Sequence, residues 1–342
     1  MTPGSVPGSD PAPAWASLCQ GGVVSEETNR DVRSALDAVA GDRSGQASPY
    51  LARLEGVDVD SLALAACSAA GEMDAAGDSS TEFALQSISK AFVYALALQE
   101  LGLEAVLERV GVEPSGEAFN EMSLLEGGRP FNPLINAGAI MVHGLVPGED
   151  EDDRITVIRR FLSALAGREL GVDQEVYEAE MELADRNLSI AHLLASNDIL
   201  PDTPHEIVRG YSLQCSVAVT TEDLAMMGAT LANGGVHPLT GEEVLRGDVV
   251  RQTLSVMFTC GMYNASGEWV AEVGLPAKSG VSGGLVAVVP GVMALAAYSP
   301  RLDEHGHSVR GVQACTRLSQ GWDLHLLGHA APRPHGRPVP GR

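Results

Sequence analysis

Apolar residues recur three and four positions apart over 24–40 and 48–55, and again from Ser87 to Val110, a spacing that predicts helices. The first opens at Ser25 with acids in its first turn, and Gly111 is a natural stop for the last. Between them, 61–66 and 81–86 carry short apolar runs on either side of the turn-rich GEMDAAGDSS, the pattern of a hairpin. From about Gly127 to Met257 the helical period dominates, over 136–146, 153–166, 172–195 and 220–232. The acidic run Glu149 to Asp153 falls where a helix begins and its dipole favours negative charge. After Gly267 short runs at 268–273, 284–289 and 292–299, separated by Gly and Pro, read as antiparallel strands. A last helical period covers 312–327. Strands and helix at both ends with helices between them predict an α+β fold. Its antiparallel sheet is assembled from both chain ends, flanked by helices, with an all-helical domain inserted.

Both termini are rich in Pro and Gly, so residues 1–14 and 332–342 are expected to be disordered tails around one folded unit spanning 15–331. Within it the expected sheet part is about 15–90 and 260–331, and the helical part about 91–259. No repeat of 20 to 50 residues divides the 342-residue chain.

Charge narrows the ligand. With 22 basic against 45 acidic residues the net charge is −23, which repels nucleic acid and anionic membrane surfaces and suits a small or zwitterionic molecule. Five cysteines without a CxxC spacing argue for neither a disulfide framework nor a zinc site. The first residues lack the basic and apolar regions of a signal peptide. The longest apolar stretch, Gly284 to Tyr298, is broken by Pro290, well short of the roughly 18 residues of a membrane span. A soluble cytoplasmic protein is expected. Twenty of the basic residues are arginine, leaving Lys90 and Lys278 as the only lysines. Arginine cannot give up its proton and lysine can, so these two positions invite chemistry.

Lys90 lies in Ser87-Ile88-Ser89-Lys90, at the step from a strand to a helix, which sets Ser87 and Lys90 one turn apart on one face. A buried lysine of lowered pKa can deprotonate a serine for nucleophilic attack, although a serine at a helix start is most often only a cap. Lys278-Ser279-Gly280 precedes an apolar strand and runs into Val281-Ser282-Gly283-Gly284, where a backbone can approach a substrate closely; the plain alternative is a turn. Finding both lysines in S-x-x-K and K-[ST]-G points to a serine acyl-enzyme hydrolase.

Here the chain resembles the serine-dependent glutaminases, relatives of the β-lactamases and penicillin-binding proteins. The likeness covers about 20–330. It is carried by GDSSTEFALQSISKAF (77–92), GVEPSGEAFN (111–120), RPFNPLINAGAI (129–140), EAEMELADRN (178–187), GYSLQCSVAVTTEDLAMMGATLANGG (210–235), MYNASGEW (262–269) and PAKSGVSGG (276–284). The resemblance implies a β-lactamase/transpeptidase-like fold and hydrolysis of L-glutamine to glutamate and ammonia. Ser87 would be the nucleophile, Lys90 its base, and Tyr50 a proton relay, although the family's YIPEL is YLARL here. Asn136, Glu180, Asn187, Tyr211, Tyr263 and the backbone at Val281 would line the substrate site. It also implies a homodimer or homotetramer.

These residue types suit glutamine. Glu180 can pair with the ammonium; Asn136, Asn187 and Tyr211 can donate to the carboxylate; the backbone N–H groups of Ser87 and Val281 can form an oxyanion hole. Tyr263 can protonate or orient the departing ammonia. If Glu180 and Asn187 share a helix, seven residues place them two turns apart on one side. No step needs a metal or organic cofactor. His305 and His307 have no third ligand, His143 and His192 read as structural, Met226 and Met227 as core, and Cys215 as a pocket wall without the setting of a nucleophile. A β-lactamase or D-alanyl peptidase is the alternative enzyme class, and a non-catalytic binding protein the third reading. The chain ends soon after the catalytic unit, so no appended regulatory domain is expected.

Overall fold

The computed structural model describes residues 26–54, 56–116, 124–125, 127–197 and 199–328. The expected tails at 1–14 and 332–342, together with Cys19 and residues 117–120 of the GVEPSGEAFN stretch, lie outside the described residues. Five strands form one antiparallel sheet: β1 (Ala63–Ser68), β2 (Met73–Gly77), β5 (Ala277–Ser279), β6 (Gly284–Val289) and β7 (Met293–Tyr298), in the order β2-β1-β7-β6-β5. The α+β class expected from the pattern is what the chain adopts. Strands β1, β6 and β7 are buried along their whole length, because helices cover both faces.

Alternate residues serve alternate faces. Leu64, Ala66, Leu285, Leu295 and Ala297 pack with Val32 and Leu36 of α1 (Glu26–Val39) and with Ala314 and Leu318 of α12 (Val309–Trp322). Ala65, Val286, Val288 and Ala296 face the larger core, where α9 (Thr221–Ala232) lies across β1, β6 and β7. Gly228 permits that approach, since a Cβ there would stand 2.6 Å from Ala294 Cβ and 2.9 Å from Val286 Cγ2. Thus α9, inside the span expected to be the helical part, is packed on the sheet.

Of the remaining helices, four pack on α2 (Ser89–Leu101), which is buried on every side from Ser89 to Leu98, and the others pack on one another beside it. These remaining helices are α3 (Leu103–Leu107), α4 (Asn136–Leu145), α5 (Glu151–Ala166), α6 (Gln174–Glu182), α7 (Asp185–Ser196), α8 (Pro204–Cys215) and α10 (Gly247–Cys260). A two-residue ladder pairs β3 (Phe83–Ala84) with β4 (Ala218–Val219) just before α2. Among the described residues no helix is long and apolar enough to cross a membrane.

Several expected elements differ. The partner of β1 is β2 rather than 81–86, because the chain already turns at Ala69–Glu72, with Gly71 at φ +90°. Residues 268–273, expected as a strand, lie mostly in a short helix, α11 (Ser266–Glu272). The buried pair there is Trp269 and Val273, four apart, while Val270 is only half-buried, which is helical spacing misread as alternation. Among the described residues of 48–55, expected as helix, there is only a 3₁₀ turn, Leu51–Arg53. The helix expected from Ser87 to Val110 breaks at Gly102, at φ +80°. The helix expected over 172–195 is two, α6 and α7, parted at Leu183 and Ala184, so Glu180 and Asn187 sit on different helices.

Candidate active site

The site begins at the turn between β3 and α2. Leu85 N donates to Val217 O at 2.9 Å, and the next residue, Gln86, takes the left-handed conformation at φ +49°. A glutamine held there costs of the order of 1–3 kcal/mol, which the surrounding contacts must offset. The strain turns the chain sharply, and the 3₁₀ turn Gln86–Ile88 feeding α2 presents Ser87, 7% exposed, at the positive end of that helix. The strand β5 lies against this turn: a Cβ on Gly280 would stand 2.9 Å from Leu85 O and 3.2 Å from Ile88 Cγ1. Beyond it Val281, half-buried, packs with Tyr50, Leu51, Ala84 and Val176.

Both lysines are buried. Lys90, 1% exposed, donates from Nζ to Asn136 Oδ1 at 2.6 Å. Burial lowers its pKa to about 8, with the Coulombic influence of Cys215 and Glu180 acting in the other direction. Asn136 opens α4 and its Nδ2 donates to Asn187 Oδ1 at 3.0 Å, which reaches in from α7. Lys278, fully buried, donates to Ser279 O at 2.7 Å and stands 4.1 Å over the Tyr263 ring. Burial, then the nearby charge of Lys90, push it well below its ordinary value.

Tyr263 is the second residue outside glycine held in the left-handed region, at φ +48°. Its hydroxyl donates to Ser279 O at 3.3 Å and hydrogen-bonds the Ser87 side chain, and burial pushes its pKa up to about 12. The ring is stacked on His307, centroids 5.2 Å apart. His307 Nε2 donates to Met262 O at 3.1 Å, so Nδ1 accepts from Ser279 Oγ at 2.8 Å. Burial lowers His307 to about 4.

On the other side Gln86 Nε2 donates to Glu180 Oε1 at 3.1 Å, and the same side chain hydrogen-bonds Tyr50. Burial raises Glu180 above its ordinary value, and the Gln86 bond and the charge of Lys90 hold it down. Burial and the Glu180 charge put Tyr50 well above 10. Tyr211 on α8, also buried, is hydrogen-bonded to Cys215 and raised by the same burial. The structure therefore brings the expected residues into three linked groups: Tyr50 and Glu180 through Gln86, Lys90 with Asn136 and Asn187, and Ser87 with Tyr263 beside β5. Glu180 is within electrostatic reach of Lys90 and Tyr211, which closes the set. A cavity of about 420 Å³, lined by Asn132, Ile135, Asn264 and Ser266 among others, borders Tyr263, and a groove of about 850 Å³ borders Val281.

Sequence reasoning passed over Gln86, gave Ser279 no role beyond its place in K-[ST]-G, and weighed His307 only as a metal ligand. Gln86 stands next to Ser87, but no sequence signal marks a glutamine with positive φ. His307 reaches Ser279 and Met262 across 28 and 45 residues, contacts that only the folded sheet creates.

The sequence profile of the family described as Glutaminase matches residues 45–327. A glutaminase of Corynebacterium efficiens is 53% identical over 296 residues, 85% of this chain and 70% of that protein. A glutaminase of Corynebacterium glutamicum is 50% identical over 303 residues, 86% of this chain and 73% of that protein. Among solved structures, Mglu in its glutamate form superposes with a TM-score of 0.85 at 47% identity, covering 89% of this chain and 70% of that one.

Proposed function

The chain belongs to the glutaminase family, and from that premise we propose that it hydrolyses L-glutamine through an acyl-enzyme on Ser87, with Lys90 as general base. The observation that carries the reading is the setting of Lys90. It is buried one turn from Ser87, hydrogen-bonded to Asn136, and burial lowers its pKa to about 8, so a neutral amine is available near neutral pH.

The chemistry then runs in two halves. Neutral Lys90 removes the Ser87 hydroxyl proton as Oγ attacks the γ-carboxamide carbon, and the oxyanion is held by the N–H groups of Ser87 and Val281. Tyr263, hydrogen-bonded to Ser87 and next to Lys278, passes a proton to the departing ammonia. Lys90 then returns its proton to Tyr263 and is neutral again; in the second half it takes a proton from the water that attacks the γ-glutamyl ester and gives it to Ser87 Oγ as glutamate leaves. Tyr50, tied through Gln86 to Glu180, relays protons beside Ser87 and Lys90. Glu180 receives the substrate ammonium. Asn187, Tyr211 and the second Nδ2 hydrogen of Asn136 receive its carboxylate, since Asn136 Oδ1 is already taken by Lys90. The glutamate form of Mglu supports a site of this shape that accepts the product.

A cytoplasmic homodimer or homotetramer completes the reading, supported by the family resemblance and by the buried, unpaired thiols of Cys67, Cys215, Cys260 and Cys315. The deciding experiment is ammonia release from L-glutamine by wild type and by Ser87→Ala, with L-asparagine and a chromogenic β-lactam as comparison substrates. Activity on glutamine that vanishes in the variant is the expected result. Undiminished activity in Ser87→Ala would remove the nucleophile, and turnover of the β-lactam in place of glutamine would move the chain to the other enzyme class.

A further inference from the structure

A run of buried polar groups with no part in the chemistry above ends on the peptide bond in front of Ser87. Ser89 Oγ donates to Gln86 O at 2.8 Å, the same carbonyl that receives the Ser89 backbone N–H. A hydroxyl has one hydrogen, so toward Gln214 Nε2, 3.0 Å away, Ser89 Oγ acts as acceptor. That orients the Gln214 amide: its Oε1 faces His143 Nδ1 at 2.8 Å and accepts that hydrogen. His143 Nε2 lies 2.6 Å from Glu151 Oε1, and the second oxygen of Glu151 is held by Arg154. From His143 to Gln86 each member donates to the next. All of them are buried, and Cys215, also hydrogen-bonded to Ser89, closes the side of the run.

The carbonyl of Gln86 and the N–H of Ser87 belong to one planar trans peptide and point in opposite directions. Whatever fixes Gln86 O therefore aims the Ser87 N–H. The peptide also follows a residue at φ +49°, and strained backbone relaxes by rotating the adjoining peptide planes unless contacts hold them. We propose that the His143–Gln214–Ser89 chain holds the Gln86–Ser87 peptide plane so that the Ser87 N–H stays aimed at the developing oxyanion. Ser89 is thus a positioning residue, with Gln214 and His143 behind it. The inference rests on the reading of Ser87 as nucleophile and oxyanion donor. It adds a function for the serine inside the S-x-x-K motif that is neither nucleophile nor cap.

The test is steady-state kinetics on L-glutamine for Ser89→Ala, Ser89→Thr, Gln214→Leu and the Ser89→Ala/Gln214→Leu double variant, with melting temperatures and Ser87→Ala alongside. A misaimed oxyanion donor costs turnover and leaves ground-state binding alone, so Ser89→Ala should lose about tenfold to a hundredfold in kcat with KM within about twofold. Ser89→Thr, which keeps the hydroxyl, should recover most of the loss. Both single variants act through one peptide plane, so the double variant should be no slower than Ser89→Ala. A kcat for folded Ser89→Ala within about twofold of wild type overturns the proposal, as does a parallel change in KM. Additive losses in the double variant overturn it too. Should Gln214→Leu not fold, the Ser89→Ala and Ser89→Thr pair decides by itself. If Ser87→Ala is inactive while Ser89→Ala is normal, only this inference fails; if Ser87→Ala is active, the nucleophile reading fails and takes this one with it.

Discussion

Replacing Lys90 by Met should stop turnover and at the same time make the protein more stable at neutral pH. Lys90 is 1% exposed, so solvent screens its charge little, and burial lowers its pKa from 10.5 to about 8. At 1.36 kcal/mol per factor of ten, holding the ammonium inside the fold costs about 3 kcal/mol. Below pH 8 the amine is charged in both the folded and the unfolded chain, and the full cost is present. Between 8 and 10.5 the folded chain releases the proton first, the unfolded state binds more protons, and stability rises with pH until the cost is gone. Methionine removes the charge and fills much the same volume, but gives up the 2.6 Å bond to Asn136, worth about 1–2 kcal/mol. The variant should therefore be more stable by about 1–2 kcal/mol at pH 7, or roughly 2–4 °C in Tm for a chain of this size. Its advantage should disappear toward pH 10.5. Urea unfolding of both proteins at steps from pH 6.5 to 10.5 measures this directly. A Lys90→Met protein less stable than wild type at pH 7, or a gap that does not change across that range, would refute the reasoning.

Wild-type kcat/KM should rise about tenfold between pH 7 and pH 9, as the neutral fraction of Lys90 grows through its pKa of about 8; a flat profile removes it as the base. Glu180→Gln keeps the shape that receives Gln86 Nε2 but loses the charge facing the substrate ammonium. KM for glutamine should climb by about tenfold or more, and an unchanged KM and kcat would take Glu180 out of the site. Gly210→Ala should lower stability by about 3 kcal/mol, because its Cβ collides with Glu151 Oε1 and comes within 2.5 Å of His143 Nε2 in a buried ion-pair network; calorimetry showing a Tm equal to wild type contradicts that packing.

Part of the candidate site was legible from residue types and spacing. Two lysines among 22 basic residues drew the eye to Ser87-x-x-Lys90 and to Lys278-Ser279-Gly280, and the fold does bring those two segments together, with Gly280 against the turn that carries Ser87. The α+β class followed from periods of 2 and 3.6, which reflect only which side of an element is buried. Where both sides are buried or the run is short, that signal is lost. So α11 passed for a strand, and the break that puts Glu180 and Asn187 on separate helices went unseen.

Other features arise only when distant segments meet. Lys90 has a lowered pKa because α2 is buried on every side, which is a property of the packed core and not of S-x-x-K. The left-handed turns at Gln86 and Tyr263 exist because the contacts around them outweigh the local steric preference of those residues, and no local rule assigns them. The chain from His143 through Gln214 to Ser89 joins residues up to 125 positions apart, whose hydrogens can be assigned only once all the partners are in place. Residue identity decided which groups were available for chemistry. The tertiary structure decided their protonation, their aim and their partners, because burial and hydrogen-bond direction belong to the assembled interior.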